Sequence, residues 1–354
     1  MMTEAHATAS VPMRWVGPVR ISGNVATTET QVPLATYESP LWPSVGRGAK
    51  VSRLTEKGIV ATLVDERMTR SVLVEATDAL TALSAARTIE ARIDELRALV
   101  RGCSQFAQLI GIRHEITGNL LFIRFEFSTG DASGHNMATL ASDVLLQHLL
   151  ETVPGISYGS ISGNYCTDKK ATAINGILGR GKNVVTELLV PRDVVADVLH
   201  TSAAKIAELN LRKNLLGTLL AGGIRSANAH YANMLLAFYL ATGQDAANIV
   251  EGSQGVVTAE DRDGDLYFAC TLPNLIVGTV GNGKGLGFVE TNLNRLGCRA
   301  DREPGENARR LAVIAAATVL CGELSLLAAQ TNPGELMRAH VQLEREHKTA
   351  KAGV

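Results

Sequence analysis

Asn119-Leu120-Leu121-Phe122-Ile123-Arg124-Phe125-Glu126-Phe127 sets Leu121, Ile123, Phe125 and Phe127 on one face and Arg124 and Glu126 on the other. Period two over this stretch predicts a half-buried β-strand. A turn through Ser128–Gly134 follows, then a predicted helix from about Asn136 to Glu151, ended by Pro154 and Gly155. Upstream, Leu80, Leu83, Ile89, Ile93, Leu96 and Leu99 predict a helix from Asp78 to Leu99. Ile156–Ile161 predicts another short strand. Residues 71–160 thus read as a small α+β unit with its own sheet.

The flanks read differently. From Met13 to Arg70 the pattern is broken by Pro18, Pro33, Pro40 and Pro43, with single strands such as Ile59–Val64 between turns. Beyond Pro191 the chain reads as helical over Asp193–Leu209, Leu215–Gly222, Ala227–Ala241 and Asn307–Gln330, the last started by Pro304-Gly305-Glu306. Arg225, Asn228, His230 and Asn233 interrupt the apolar stretch Leu215–Ala241, so a buried helix pair is expected there rather than a membrane span. The expected fold is α+β: a mostly helical large domain with a small α+β domain inserted.

At 354 residues the chain is long enough for about two domains. With 46% hydrophobic and 19% charged residues it belongs to the globular class. A net charge of -1 argues against an electrostatic nucleic-acid binder, and 4% aromatics against a base-stacking platform. Cys103, Cys166, Cys270, Cys298 and Cys321 are scattered and never at CxxC spacing. Reduced thiols, no disulfide framework and no metal site are expected. The start, MMTEAHATAS, has no basic region leading into an apolar run, so no signal peptide is expected.

Three polar segments are candidates for chemistry. Ser162-Gly-Asn-Tyr-Cys-Thr-Asp-Lys-Lys170 is either a solvated turn or a set of groups for an anionic substrate or a developing oxyanion. Gly130–Met137 joins a strand to a helix start, where small residues let backbone amides approach a ligand, but it is no GxGxxG fingerprint. Gly278–Gly287 matches a phosphate-binding loop up to Lys284. Gly285 stands where Mg²⁺ needs Ser or Thr, leaving a close-packed glycine loop next to a site. Glu38, Asp245 and His340 are isolated ionisable residues; Asp245 reads equally as a helix N-cap.

The order of these pieces is distinctive. SGNYCTDKK, followed by AIN, GRGK and VV, resembles the cis-loop region of class I 3-hydroxy-3-methylglutaryl-coenzyme A (HMG-CoA) reductases. MTR (68–70), SQFAQL (104–109), GDASGHNM (130–137), KNLLG (213–217), NAHYAN (228–233), TGQDAAN (242–248), GTVGNG (278–283), PGENARRLA (304–312) and GELSL (322–326) occur in the family's order, from about Val11 to about His340.

The resemblance implies reduction of HMG-CoA to mevalonate and free coenzyme A with two NADPH, through a hemithioacetal and mevaldehyde. It implies a homodimer or homotetramer with active sites at the subunit interface; the scattered reduced thiols lead to a cytoplasmic expectation, and the balanced charge and interrupted apolar stretch to no nucleic-acid or membrane partner. Residues 1–12, polar and small, are expected to be disordered, and the resemblance divides the rest into a large HMG-CoA-binding domain (13–70 and 172–345), a small ferredoxin-like NAD(P)-binding domain (71–160), the cis-loop (161–171) and a tail (346–354). Lys169 matches the lysine that faces the oxyanion, Glu38 the acid of aldehyde reduction, Asp245 its partner carboxylate and His340 the proton donor to the leaving thiolate. Arg70, Ser162, Asp168, Lys170, Lys213, His230 and Asn233, with Ser44 and Arg47, match substrate-binding positions. Ser104, Gln105, Phe106, Asp131, Ser133, Gly134, His135 and Asn136 match cofactor contacts.

Departures from the family pattern are local. Tyr37-Glu38-Ser39-Pro40 replaces Thr-Glu-Gly, His135 a common methionine, and Gln105 an arginine whose loss leaves NADH use open beside NADPH. A binding-only relative, or a reductase of another acyl thioester, are the alternatives at this point.

Overall fold

The computed structural model describes residues 9–338 and 341, which leaves His340 outside the described residues. The chain opens with the antiparallel pair β1 (Met13–Gly23) and β2 (Thr28–Ala35), then α1 (Leu41–Leu54) and β3 (Ile59–Ala76). Next come α2 (Ala79–Ala91), α3 (Ile93–Cys103), β4 (Gln108–Thr117), β5 (Leu120–Ser128), α4 (His135–Thr152) and β6 (Ile156–Ser160).

The second half of β3 pairs antiparallel with β5 and β6, and β5 with β4, so the strand order is β4-β5-β3-β6. One face carries the predicted stripe of Leu121, Ile123, Phe125 and Phe127, packed in a separate core with residues of α2 and α4 such as Ile89 and Leu145. Full burial of each such side chain contributes about 1.5–3 kcal/mol. The opposite face is not solvated as the alternation predicts. Arg124 and Glu126 are also buried. Arg124 donates to Asn175 Oδ1 and the Gly179 carbonyl, and Glu126 pairs with Arg67 at 2.7 Å, so an ionic layer joins this sheet to the rest of the molecule. The predicted helix 78–99 is two helices. Arg92 leaves the helical region between them while its guanidinium holds Glu95 and Thr152.

The remainder comprises α5 (Ala173–Leu178), β7 (Gly181–Val190), α6 (Arg192–Leu199), α7 (Ala203–Leu209), a π-helical stretch Asn210–Gly217, α8 (Thr218–Leu220), α9 (Tyr231–Ala241), a 3₁₀ turn Ala246–Asn248, α10 (Ile249–Gly252), β8 (Val256–Arg262), β9 (Asp265–Leu275), α11 (Gly287–Arg295) and α12 (Glu306–Gln330). It holds more strand than the mostly helical reading expects, in the order β2-β1-β3-β7-β9-β8. The reason is burial on both faces. Phe268, Ala269 and Cys270 are consecutive and all buried, which erases the period-two signal.

Helix α12 fills the middle of this part. By length and composition it could cross a membrane, yet 94% of its apolar window is buried inside the protein. A side chain on Gly48 of α1 would meet the Cys321 carbonyl at 2.2 Å, so glycine sets the close approach of these two helices. The stretch from Leu215 is not a buried pair: Leu219 and Leu220 are 74% and 89% exposed, and α9 begins only at Tyr231.

Candidate active site

Two cavities of about 430 Å³ each lie on the molecule, and among the described residues none lines both. That size suits small-molecule sites. The first cavity is walled by Arg70 of β3, Ser133, Gly134, His135 and Asn136 at the start of α4, Asp168 and Lys169, Arg180, Asp245 and Lys284.

Glycines bring these walls together. A side chain on Gly278 would meet the Ser133 amide at 2.4 Å, and one on Gly283 the Gly243 carbonyl at 2.6 Å. The Gly278–Gly287 segment is therefore a packing loop beside the cavity, held by Gly278 N–H donating to Gln244 Oε1 at 2.9 Å. Lys284 is buried in it, its ammonium donating to the Gly243 carbonyl, and burial pulls its pKa down to about 8.

The loop from Ser162 to Lys170 is anchored from below. Asn175, fully buried, donates to the carbonyls of Cys166 and Thr167. Asn164, Thr167 and Lys169 all have left-handed backbones, φ 60°, 44° and 55°. For a residue other than glycine this conformation costs about 1–2 kcal/mol. The result presents Lys169 Nζ to Asp245 Oδ2 at 2.8 Å. That hydrogen bond raises the Lys169 pKa. Burial works against the Asp245 charge, but Lys169 and the Ala247 amide outweigh it and hold the carboxyl below its usual range. Asp245 is thus both helix cap and ion-pair partner. Across the cavity His135 Nε2 lies 3.6 Å from Asp168 Oδ1, which is also 3.1 Å from the Arg180 guanidinium; the His135 nitrogen is buried without a hydrogen-bond partner. Burial, with Arg180 nearby, lowers the His135 pKa and favours the neutral ring.

The second cavity is lined by Glu38, Ser44, Arg47, His230, Asn233 and Glu335 among others. Asn233 Nδ2 donates to Glu38 Oε2 at 2.9 Å. Below them Glu323 of α12, fully buried, accepts the backbone amides of Ala229 (2.8 Å) and His230 (2.6 Å), the open donors at the start of α9. Burial pushes the Glu323 carboxyl up to about 7 and the His230 ring down to about 4. His230 Nε2 faces the Gly322 carbonyl at 3.1 Å, so the neutral ring carries its proton there and leaves Nδ1 as an acceptor. Ser44 meets Ser325 at 3.1 Å, and Arg47 pairs with Glu335 at 2.8 Å.

Other expected site residues stand apart from both cavity walls. Ser162 and Lys170 are exposed on the loop, with Lys170 Nζ on the Asp168 carbonyl. Lys213 sits in the π-helical stretch, where burial lowers its pKa and Glu323 opposes that. Ser104 caps the turn at Phe106 and Ala107, beside an exposed Gln105 and a 57% exposed Phe106. Asp131 caps α12 instead of lining the first cavity, accepting from Gly305 and Ala308 N–H at 3.1 and 2.8 Å. Sequence reasoning passed over Arg180, Glu251 and Glu323. Arg180 stood in the GRGK motif and Glu323 in GELSL without a role, and Glu251 carried no local signal at all.

Solved structures define the class of fold. The class II HMG-CoA reductase of Streptococcus pneumoniae, described as bound to NADPH in open conformations, superposes with a TM-score of 0.72 at 20% identity, over 93% of this chain and 87% of that one. The model of the hydroxymethylglutaryl-coenzyme A reductase family matches residues 2–345. The chain is 44% identical over 339 residues to the 3-hydroxy-3-methylglutaryl-coenzyme A reductase of Pyrococcus horikoshii, covering 95% of this chain and 81% of that protein. It is 45% identical over 337 residues to the Aeropyrum pernix enzyme, covering 95% and 79%. This chain belongs to the HMG-CoA reductase family.

Proposed function

We propose that this protein reduces HMG-CoA to mevalonate and coenzyme A with two molecules of NADPH per turnover, the reductive step of the mevalonate pathway. The observation that carries the reading is the Lys169–Asp245 pair at the rim of a cavity that also holds Arg70 and Asp168. A fixed ammonium is what a thioester carbonyl needs as hydride turns its oxygen into an oxyanion. Arg70 suits the free carboxylate of the substrate. In the second cavity Glu38, held by Asn233, serves as the acid of aldehyde reduction, and Ser44 and Arg47 take the coenzyme A portion. His340 protonates the departing thiolate. Lys170, Ser162 and Lys213 complete the substrate contacts. A binding-only relative is not favoured, because the homologues are named as reductases.

The first cavity fits a nicotinamide nucleotide on its own chemistry. The unpartnered His135 Nε2 offers a polar contact, and Gly134 at φ 92° makes the turn at which α4 starts. The bound nucleotide supplies the hydride. Ser133, Gly134, His135 and Asn136 hold it, with Ser104, Gln105 and Phe106 at the outer end and Asp131 shaping the turn. The order β4-β5-β3-β6, with helices α2 and α4, supports reading residues 71–160 as a ferredoxin-like nucleotide-binding domain inserted in the large domain. Gln105 in place of an arginine keeps NADH as a second donor.

The separation of the two cavities supports a homodimer or homotetramer in which one subunit supplies Lys169 and Asp245 and another Glu38, His230 and Asn233. A cytoplasmic setting goes with this reading and is supported by five free thiols. The test is oxidation of NADPH or NADH by HMG-CoA with released thiol counted in parallel. Two nicotinamides consumed per thiol are expected. Binding of coenzyme A ligands without oxidation would overturn the reading.

A further inference from the structure

Lys169 is held at both ends by one short segment. Asp245 takes its ammonium, and Glu251, on α10 just downstream, takes its backbone N–H on Oε1 at 3.1 Å. The same Oε1 accepts from Arg180 at 2.8 Å, and the Arg180 guanidinium also lies 3.1 Å from Asp168 Oδ1. Glu251 is fully buried and Arg180 is 2% exposed, whereas Lys169 itself is on the surface of the cavity. The pair is a poor stabiliser as built. Glu251 Oε2 and Arg180 Nε have no partners, and burial pushes the Glu251 pKa up against the pull of Arg180. A buried ion pair with loose polar atoms is weak evidence for stability. What it does provide is a fixed acceptor under a lysine whose backbone is left-handed.

We infer that Glu251, backed by Arg180, is a positioning residue that keeps Lys169 in its left-handed conformation and so aims the ammonium at the reacting carbonyl. The inference rests on the function proposed above, and it follows from hydrogen-bond acceptance rather than from charge. Loss of the acceptor lets the loop relax toward an ordinary backbone and moves the ammonium by an ångström or more, a displacement worth about 10- to 100-fold in rate.

Four measurements test it. Glu251→Ala lowers kcat about 10- to 100-fold with KM for HMG-CoA changed less than about threefold. Glu251→Gln, which keeps an oxygen in place, stays within about threefold of the native kcat. In a Lys169→Ala background Glu251→Ala has no further effect, since it acts only through Lys169. A full second loss there, or a Glu251→Gln variant as impaired as the alanine variant, overturns the inference. If the alanine variant does not fold, Glu251→Asp, which withdraws the acceptor by one methylene, replaces it in all these comparisons with the same expected and overturning outcomes. The fourth readout needs no turnover: trinitrobenzenesulfonate labels Lys169 several-fold faster in Glu251→Ala than in the native protein, scored by peptide mass spectrometry. Unchanged labelling overturns the positioning role. Native protein that labels as expected but does not reduce HMG-CoA would instead overturn the proposed function.

Discussion

Glu38 and Asp245 stand at opposite ends of the same helix. Glu38 is bonded to Asn233 in the first turn of α9, and Asp245 lies four residues beyond the last residue of that helix, Ala241. Eleven helical residues span about 16 Å. Glu38 and Asp245 therefore line different cavities of one chain, and the roles proposed for them require a second copy to bring its own cavity alongside.

Mixing two dead variants tests this arrangement. Lys169→Ala damages the first cavity and Glu38→Gln the second. In a randomly reassembled mixture half the dimers are mixed, and each mixed dimer has one intact site, so about a quarter of native activity returns. A mixture as inactive as its components would place all the catalytic groups within one subunit.

Removing the ammonium alone should be severe. Lys169→Ala is expected to lower kcat about 10²–10³-fold, the usual cost of losing one oxyanion donor. Its unfolding midpoint should stay near the native value, because Lys169 and Asp245 are both substantially exposed. Near-native kcat would remove Lys169 from the chemistry.

His340→Gln should slow reduction of HMG-CoA more than reduction of mevaldehyde, because only the thioester expels a thiolate that needs a proton. Kinetics on the two substrates side by side check this. Equal losses would deny His340 that role.

Glu323 should leave a signature in the pH dependence of stability. Burial lifts its carboxyl from the ordinary 4.5 to about 7. Between those values the native state keeps a proton that the unfolded chain has released, so this group's contribution falls as pH rises through the window. The change is about 3 kcal/mol at 1.36 kcal/mol per pKa unit. Glu323→Gln abolishes the titration. The stability difference, native minus variant, should therefore shrink by about that amount from pH 4.5 to 7 in denaturant unfolding. A difference that is flat or rises with pH would mean an ordinary, ionised Glu323.

Gly134→Ala should both destabilise and weaken nucleotide binding. At φ 92° a side chain is strained, and its Cβ would meet Thr129 Oγ1 at 2.7 Å. A loss of about 1–2 kcal/mol, with a raised KM for NADPH, is expected from thermal unfolding and steady-state rates. An unchanged KM would detach the start of α4 from the cofactor.

The local pattern alone determined the elements whose two faces differ. The stripe from Leu121 to Phe127 and the helix from His135 to Thr152 were legible because one side of each packs in a core. The order of short motifs determined the family and named Lys169, Asp245, Glu38 and His230 before any contact was known. Elements buried on both faces, such as β9 and the Arg124–Glu126 side of β5, hid their period because polar and apolar residues are covered alike. Only the tertiary structure decided that Lys169 and Asp245 line one cavity and Glu38 and His230 another, that Asp131 caps a helix, and that Glu251 lies under Lys169. Those relations join residues far apart in the chain, such as Lys169 and Glu251 or Asp131 and Ala308. A hydrogen bond across such a separation is created by packing and has no period in the sequence to announce it.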